Sequence, residues 1–309
     1  MYLPYLRGRQ FELIALRELL EKDLLHDKII PIVEPVKLTS SLNKTLSTYT
    51  EKATEIAVIH NPKVGSFHPS EGNRLTDNYY SIILNDNIIK THIVNSASED
   101  ELNELVNNYN IDVSDIITVN SDPDHISTYN NVFSDETPRL NLIPDERTFR
   151  RQIRENKVIL DDKLNKQPRN VDYTRNVDEF FSDDHLFYNE DGYDGFSDFS
   201  IVGKEYSESG FAPHAVVVHI TYFDDDWNLR IYHFVSDSNE DFRDPAGKFY
   251  EALKKLTNWK SDKDISTFGL EEFEKHYQEG TYPGLGVVKK LSIMHHIELV
   301  GQFFEENNL

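Results

Sequence analysis

Short apolar segments alternate with helical segments over the first two-thirds of this 309-residue chain, and this alternation constrains the fold more than any other feature. Leucines recur at helical spacing from Leu13 to Leu24, which indicates an amphipathic helix over residues 10–25. Strands separated by helices at this interval pair in parallel through crossover helices. The sequence therefore predicts an α/β fold, a TIM-like (β/α)8 barrel, with strands at residues 2–6, 28–33, 55–60, 91–94, 115–120, 139–143, 157–160 and 197–202.

The pattern changes in the last third of the chain. Residues 216–223 and 229–235 are rich in β-forming residues, and the polar run 224–228 between them predicts an antiparallel hairpin. Further helices are predicted at residues 245–256, 269–279 and 286–305. We expect a single TIM-barrel-like domain over residues 1–309, to which residues 215–309 add the hairpin and the helices.

Two further predictions concern the barrel region. Ser98 and Glu101 match a capping box at the start of a predicted helix over 98–108, and a charged helix is predicted over 145–156. Residues 172–200 are rich in Asp, Asn, Tyr and Phe, and we expect them to form a long loop.

Composition excludes several classes of function. Acidic residues outnumber basic ones by 54 to 32, giving a net charge of -22, which argues against binding of duplex nucleic acid. The chain has no cysteine, so disulfides, thiolate zinc sites and cysteine nucleophiles are excluded. It shows no signal-peptide pattern and no apolar run of about 18 residues. We therefore expect a cytoplasmic protein that does not enter a membrane.

The carboxyl ends of barrel strands converge on one mouth, where such folds bind their ligands. Arg7 and Arg9 follow the first strand on either side of Gly8, and paired guanidinium groups suit a phosphate. Other polar residues at strand ends supply further candidates. The predicted ligand-binding residues are Arg7, Arg9, Lys37, Asn61 and Asn95, and the candidates for catalysis are Glu34, Asp161 and Asp198.

Glu34 has two interpretations. Beside Lys37 or Arg7 it forms either an acid/base pair or a salt bridge at the barrel rim, and the salt bridge is the commoner arrangement. The sequence contains no phosphate-binding loop, no dinucleotide fingerprint and no serine-hydrolase elbow.

A divalent cation is the one cofactor that the sequence raises. Asp161 and Asp198, together with His60, supply ligand types that suit Mg²⁺ or Mn²⁺. His219 and His233 lie in the two arms of the hairpin, where they form either a hydrogen-bonded structural pair or part of a metal site. No metal motif of diagnostic spacing accompanies any of them.

Six segments carry a resemblance to a known family. The opening segment, 2–12 (YLPYLRGRQFE), is the most specific, and the others are 30–36, 195–203, 205–210, 233–237 and 291–298. Together they resemble a poorly characterised bacterial family, the beta family proteins, some of which are carried by prophages and satellite phages. The resemblance implies a TIM-barrel-like fold, a role in conflict between phage and host, and a second protein encoded at the same locus as partner. It implies no particular reaction.

Three functions remain open at this point. The first is a component of a bacterial antiphage or toxin–antitoxin-like module that binds a nucleotide or another phosphate-bearing ligand at the barrel mouth. The second is a metal-dependent phosphodiesterase or nuclease. The third is a non-catalytic scaffold that docks a partner protein through the hairpin over 216–235 and the C-terminal helices, and the aromatic residues that this docking would use are Tyr222, Trp227 and Tyr232.

Overall fold

Eight parallel strands follow one another in chain order around a single sheet in the computed structural model, which describes residues 1–70, 72–208 and 213–307. Tyr2 forms β-bridges with both Ile29 and Phe196, so the last strand of the sheet is joined to the first. The predicted TIM-like barrel is confirmed. Its strands are β1 (Tyr5–Leu6), β2 (Ile32–Val33), β3 (Ile56–Ile59), β4 (Ile88–Ile93), β5 (Ile117–Val119), β6 (Leu140–Ile143), β7 (Lys157–Asp161) and β9 (Gly195–Asp198). Strand β8 (Asp178–Ser182) lies in a second sheet.

The barrel strands are short and apolar, as expected of parallel strands that are covered on both faces. All four residues of β3 and all six of β4 are buried. The connecting helices are α1 (Gln10–Glu21), α2 (Ser40–Glu51), α3 (Arg74–Ile83), α4 (Ser98–Tyr109), α5 (Ile126–Val132), α6 (Arg147–Gln152) and α7 (Asp184–Phe187).

The predicted hairpin is also confirmed. It consists of β10 (Val217–Phe223) and β11 (Leu229–Val235), which pair in antiparallel register, and β11 also pairs with β8. Three helices follow: α8 (Pro245–Lys260), which begins at the N-cap Asp244, α9 (Phe268–Glu279), which begins at the N-cap Thr267, and α10 (Leu285–Glu306).

The expectation of a long loop over 172–200 is wrong. This segment contains most of a 3-10 helix (Asn170–Arg175), and then β8, α7 and β9. Its polar composition conceals β8, because that strand gains its stability from pairing with β11, about 50 residues later in the chain. Long-range pairing of this kind leaves no local signal in the sequence.

Several predicted boundaries differ from the structure. The last barrel strand ends at Asp198 and a 3-10 helix (Ser200–Val202) follows it, whereas the prediction extended the strand to residue 202. Helix α6 covers only Arg147–Gln152 of the predicted 145–156. The capping box is wrong as well: Ala97 is the N-cap of α4, and the Ser98 hydroxyl instead accepts a hydrogen bond from the Asn95 backbone amide at 2.8 Å.

The chain divides into two compact units. The first comprises Met1–Leu13, Asp27–Asp161 and Asp184–Asp198, and it contains all eight barrel strands. The second comprises Ile14–His26, Asp162–Asp183 and the chain from Phe199 onward. The expectation of one domain over 1–309 stays a prediction. Within the described part of the chain, no helix combines the length and the apolar character that crossing a membrane requires.

Candidate ligand site at the carboxyl ends of the barrel strands

Polar side chains at the ends of the first four barrel strands form two hydrogen-bonded groups. Arg7 follows β1, Glu34 follows β2, Asn61 lies just after β3 and Asn95 just after β4. These four strands are consecutive neighbours in the sheet, so their carboxyl ends lie side by side. The structure thus brings together four of the residues that the sequence singles out.

Glu34 is the centre of the first group. Its side chain is fully buried, and Oε2 accepts hydrogen bonds from the Arg7 guanidinium and, at 2.7 Å, from the Tyr5 hydroxyl. Oε1 accepts the backbone amide of Lys63 at 2.8 Å. Burial raises the pKa of Tyr5, which keeps its hydroxyl protonated as a donor. Of the two interpretations of Glu34, the salt bridge is confirmed, and its partner is Arg7.

The backbone conformation between Arg7 and Arg9 explains why a glycine, Gly8, stands between them. Gly8 has a φ of +60°, and a Cβ at this position would lie 3.1 Å from both the Glu34 carbonyl oxygen and the Val33 side chain. Only glycine adopts this conformation at this close approach without strain. The Arg7 amide then donates to Glu12 Oε2 at 2.8 Å, in the first turn of α1. These contacts fix the direction in which the chain leaves β1.

Glu101 is the centre of the second group. Its Oε2 accepts the side-chain amides of Asn61 at 2.8 Å and of Asn95 at 2.9 Å. Asn61 also bonds both backbone groups of Ile93, donating to the carbonyl and accepting from the amide at 2.9 Å each. Asn61 and Asn95 therefore hold the β3 and β4 loops together through hydrogen bonds within the protein.

Three side chains form a hydrogen-bonded chain beside this group. His60 Nε2 lies 2.7 Å from His92 Nδ1, and His92 Nε2 lies 2.7 Å from the Ser98 hydroxyl. His92 and Ser98 are completely buried, whereas His60 is partly exposed. Burial lowers the pKa of His60 to about 4 and that of His92 to about 3, so both imidazoles are neutral at neutral pH.

The hydrogen-bond pattern assigns the protons along this chain. The Ser98 oxygen accepts from the Asn95 amide, and the buried Ser98 hydroxyl has His92 Nε2 as its one acceptor among the described residues, so we assign its proton to that hydrogen bond. His92 then carries its proton on Nδ1 and donates to His60 Nε2. His60 is left with an N–H at Nδ1, and this nitrogen makes no hydrogen bond within the described residues. The chain thus presents one oriented donor from a partly exposed residue at the end of β3.

The remaining candidates are placed differently. Arg9 is partly buried, and Lys37 is exposed. Asp161 is exposed at the end of β7 and lies in register with the buried Asp198 of β9. Asp198 Oδ1 accepts the hydroxyl of Tyr2 at 2.8 Å, which fixes the residue that joins the first and last strands.

The histidines among the metal candidates take part in hydrogen bonds within the protein. His219 and His233 are cross-strand neighbours, as predicted, and their Nδ1 atoms lie 2.7 Å apart in a hydrogen bond. His60 is bonded to His92 in the same way. Among residues 1–70, 72–208 and 213–307, no three His, Asp or Glu side chains are grouped to hold an ion. A cation at His60, Asp161 and Asp198 stays a prediction.

Sequence reasoning missed several residues of this site. His92, Thr118 and Asn141 are buried polar residues in register on β4, β5 and β6, and the Thr118 hydroxyl donates to Asn141 Oδ1 at 2.7 Å. Polar residues inside otherwise apolar strands were the available signal for them. The capping role that the sequence predicts for Glu101 gives no indication of its hydrogen bonds with Asn61 and Asn95.

Comparisons with known proteins identify no relative. No family model, no curated protein and no solved structure matches the chain. The resemblance to the beta family proteins therefore stays a prediction.

Proposed function

We propose that the carboxyl end of the barrel binds a small anionic ligand that carries a phosphate, such as a nucleotide or a phosphorylated metabolite. The observation that carries this proposal is the hydrogen-bonded chain from Ser98 through His92 to His60, from which we assign an oriented Nδ1–H to His60. A neutral N–H donor that is fixed before the ligand arrives costs little reorganisation when an anion binds. The bonds from Ser98 and His92 supply this fixation.

Glu101 is the charged group that acts on His60 itself, and the support for an anionic ligand comes from basic residues in the neighbouring loops. Arg9, Lys37 and Lys63 lie in the loops that follow β1, β2 and β3, the same three strand ends that carry Arg7, Glu34 and His60. Glu34 balances the charge of Arg7 in the buried ion pair. Arg7 therefore organises the site, and we assign the direct contacts with the anion to Arg9, Lys37 and His60.

The biological setting is part of the proposal and rests on the resemblance in sequence. In this setting the chain is a cytoplasmic component of a bacterial antiphage or toxin–antitoxin-like module. A second protein from the same locus is its partner.

Thermal unfolding in the presence of inorganic phosphate, AMP and ribose 5-phosphate tests the ligand. A probe at a hundred times its dissociation constant stabilises the folded state by about 2.7 kcal/mol, which raises the melting temperature by several degrees. We expect this shift for at least one probe, and we expect Arg9→Gln and His60→Phe each to reduce it strongly.

Lys44→Gln is the matched control, because it removes one positive charge from an exposed position on α2 of the same unit. It should leave the shift unchanged. Arg7→Ala is a poor test, since an unpaired buried Glu34 destabilises the fold by about 3–5 kcal/mol whatever the ligand does. No shift with any probe, or equal shifts in all variants, contradicts the proposal.

The two alternative functions have less support. A metal-dependent phosphodiesterase needs a ligand set, and the described residues contain no such group. A docking scaffold needs exposed aromatic residues on the hairpin. Trp227 is exposed there, but Tyr222 is buried against Trp259 and Tyr232 is partly buried.

A further inference from the structure

A carboxylate and two imidazoles form a continuous hydrogen-bonded line across the three-stranded sheet. Glu179 lies on β8, His233 on the middle strand β11 and His219 on β10. His233 Nε2 is 3.1 Å from Glu179 Oε1, and the Nδ1 atoms of the two histidines are 2.7 Å apart. All three residues belong to the second compact unit, whereas the residues of the site at the barrel strand ends belong to the first.

The carboxylate end of this line is held firmly. Oε2 of Glu179 accepts the side-chain amides of Asn176 at 2.8 Å and Asn165 at 3.2 Å, which leaves Oε1 to face His233. A carboxylate accepts and does not donate, so His233 carries its proton on Nε2. Its Nδ1 is therefore a lone pair.

The proton on His219 follows from that of His233. Two nitrogens 2.7 Å apart share one proton, and since His233 Nδ1 has none, His219 donates from its own Nδ1. The ring of Tyr173 packs against both imidazoles, with centroids 4.8 Å from His219 and 4.4 Å from His233, and restricts their orientation. His219 Nε2 is consequently an acceptor in a fixed direction.

Burial keeps both imidazoles neutral. It lowers the pKa of His219 well below its usual value, with smaller contributions from His233 and from the positive charge of Lys289. Burial also lowers the pKa of His233, against the opposing effect of Glu179. With one proton on each ring, the assignment of donors and acceptors stands at neutral pH.

His219 lines a cavity of about 250 Å³. His219 makes no hydrogen bond through Nε2 within the described residues. The lining combines apolar residues with polar ones, which include Lys166, Lys289 and Ser292. The apolar part is formed by Leu164, Ile201, Val202, Val217 and Val288.

A histidine of the same unit shows what a purely structural role looks like. His295 is completely buried, and both of its nitrogens are used: Nδ1 lies 2.8 Å from the Thr267 hydroxyl and Nε2 lies 2.6 Å from the Thr221 carbonyl oxygen. His219 instead keeps one nitrogen for the cavity. This contrast points to a ligand at Nε2.

We propose that this cavity is a second ligand site that binds a small organic anion bearing a hydroxyl group. The hydroxyl donates to His219 Nε2, the anionic group lies toward Lys289, and the carbon skeleton packs on the apolar wall. The cavity is smaller than the roughly 300–1,000 Å³ of pockets for drug-sized ligands, so the ligand has one ring or a short chain. Glu179 and His233 are positioning residues, because they act only through His219.

Three probes separate the parts of this proposal. 4-Hydroxybenzoate has the donor and the anion, benzoate lacks the donor, and methyl 4-hydroxybenzoate lacks the anion. With the native protein in titration calorimetry, we expect 4-hydroxybenzoate to bind about tenfold more tightly than either analogue, as one hydrogen bond or one charge contact predicts.

Variants assign each preference to a residue. His219→Gln should remove the preference for the hydroxyl, and Lys289→Gln should remove the preference for the anion. His214→Gln and Lys254→Gln change the same residue types at exposed positions of the same unit and should keep both preferences. Circular dichroism and thermal melting identify any variant that fails to fold.

A measurement without ligand keeps the inference testable if a variant unfolds. Nitrogen-15 NMR of the native protein, labelled in its histidines, reports which ring nitrogen of His219 carries the proton. We expect Nδ1–H and an unprotonated Nε2 whose resonance moves when 4-hydroxybenzoate is added. A proton on Nε2, no binding of 4-hydroxybenzoate, or unaltered preferences in His219→Gln would each overturn the proposal.

Discussion

Buried histidines make individual residues of this fold sensitive to acid. Burial lowers the pKa of His60 to about 4, of His92 to about 3 and of His295 to about 4, whereas a histidine in an unfolded chain titrates near 6.5. Below pH 6.5 these histidines therefore become protonated in the unfolded chain but stay neutral in the folded one. The free energy of unfolding must fall as the pH drops from about 6.5 toward 4.

We expect His92→Gln to weaken this acid sensitivity. Each such histidine contributes on the order of 2–3 kcal/mol of lost stability by about pH 4. Urea unfolding of the native protein and the variant at several pH values between 4 and 7.5 measures the difference. His68→Gln, at an exposed position, reports the effect of the substitution itself. Parallel curves for native protein and His92→Gln would refute the expectation.

Glu298 on α10 has the opposite dependence on pH. Burial raises its pKa from 4.5 to about 7, although its Oε2 accepts the Phe268 amide at 2.9 Å, at the start of α9. An acid that holds its proton more tightly when folded stabilises the fold at low pH. That stability is lost as the pH rises from about 4.5 through 7.

Glu298→Gln keeps an oxygen for the Phe268 amide and has no charge to bury. We expect this variant to match the native protein near pH 5 and to be more stable by about 1–3 kcal/mol at pH 8. Chemical unfolding at the two pH values measures this. A difference between the two proteins that is the same at both pH values would count against the assigned cause.

The contact between α9 and α10 depends on one small residue. A Cβ on Gly269 would lie 2.4 Å from the Leu291 carbonyl oxygen and 3.0 Å from the His295 side chain. The backbones of the two helices therefore approach closely at this point, and no flexible side chain can move aside.

Gly269→Ala should therefore destabilise the protein. Alanine gains up to about 1 kcal/mol of helix propensity over glycine, but overpacking at a rigid contact costs about 1–3 kcal/mol. We expect a net loss, measured by thermal or urea unfolding. Gln278→Ala is the control, because Gln278 is exposed in the last turn of the same helix. A variant as stable as the native protein would show that the helices can separate without cost.

Elements with a strong local pattern could be predicted from the sequence, and those that depend on distant partners could not. The barrel strands and the hairpin have continuous β-forming runs, and α1 has periodic leucines. Strand β8 has neither, since its stability comes from β11. The candidate site follows the same rule. Arg7, Glu34, Asn61 and Asn95 could be found from the ends of strands, whereas the role of His92 depends on contacts across strands.

The whole molecule carries a net charge of -22, so its excess acidic side chains repel one another and destabilise the folded state. Salt screens this repulsion over a Debye length of about 30 Å at 0.01 M and about 10 Å at 0.1 M. We expect the melting temperature to rise by a few degrees when NaCl is increased over this range. A combined variant that removes three exposed acids, Glu190→Gln, Asp225→Asn and Glu240→Gln, should show a smaller rise. A melting temperature that falls with salt would mean that attractive ion pairs outweigh the repulsion.

Pairing of the first barrel strand with the last also determines when the barrel can close during synthesis. The Leu3 amide donates to the Phe196 carbonyl, and Tyr2 is bonded to Asp198, 196 positions later in the chain. At about 5–20 residues per second, a ribosome needs roughly 10–40 s to make the intervening segment. During that time one edge of β1 has no partner, and unpaired strand edges are where chains aggregate. The speed of translation, more than the stability of the finished barrel, sets how long that edge is open to other chains.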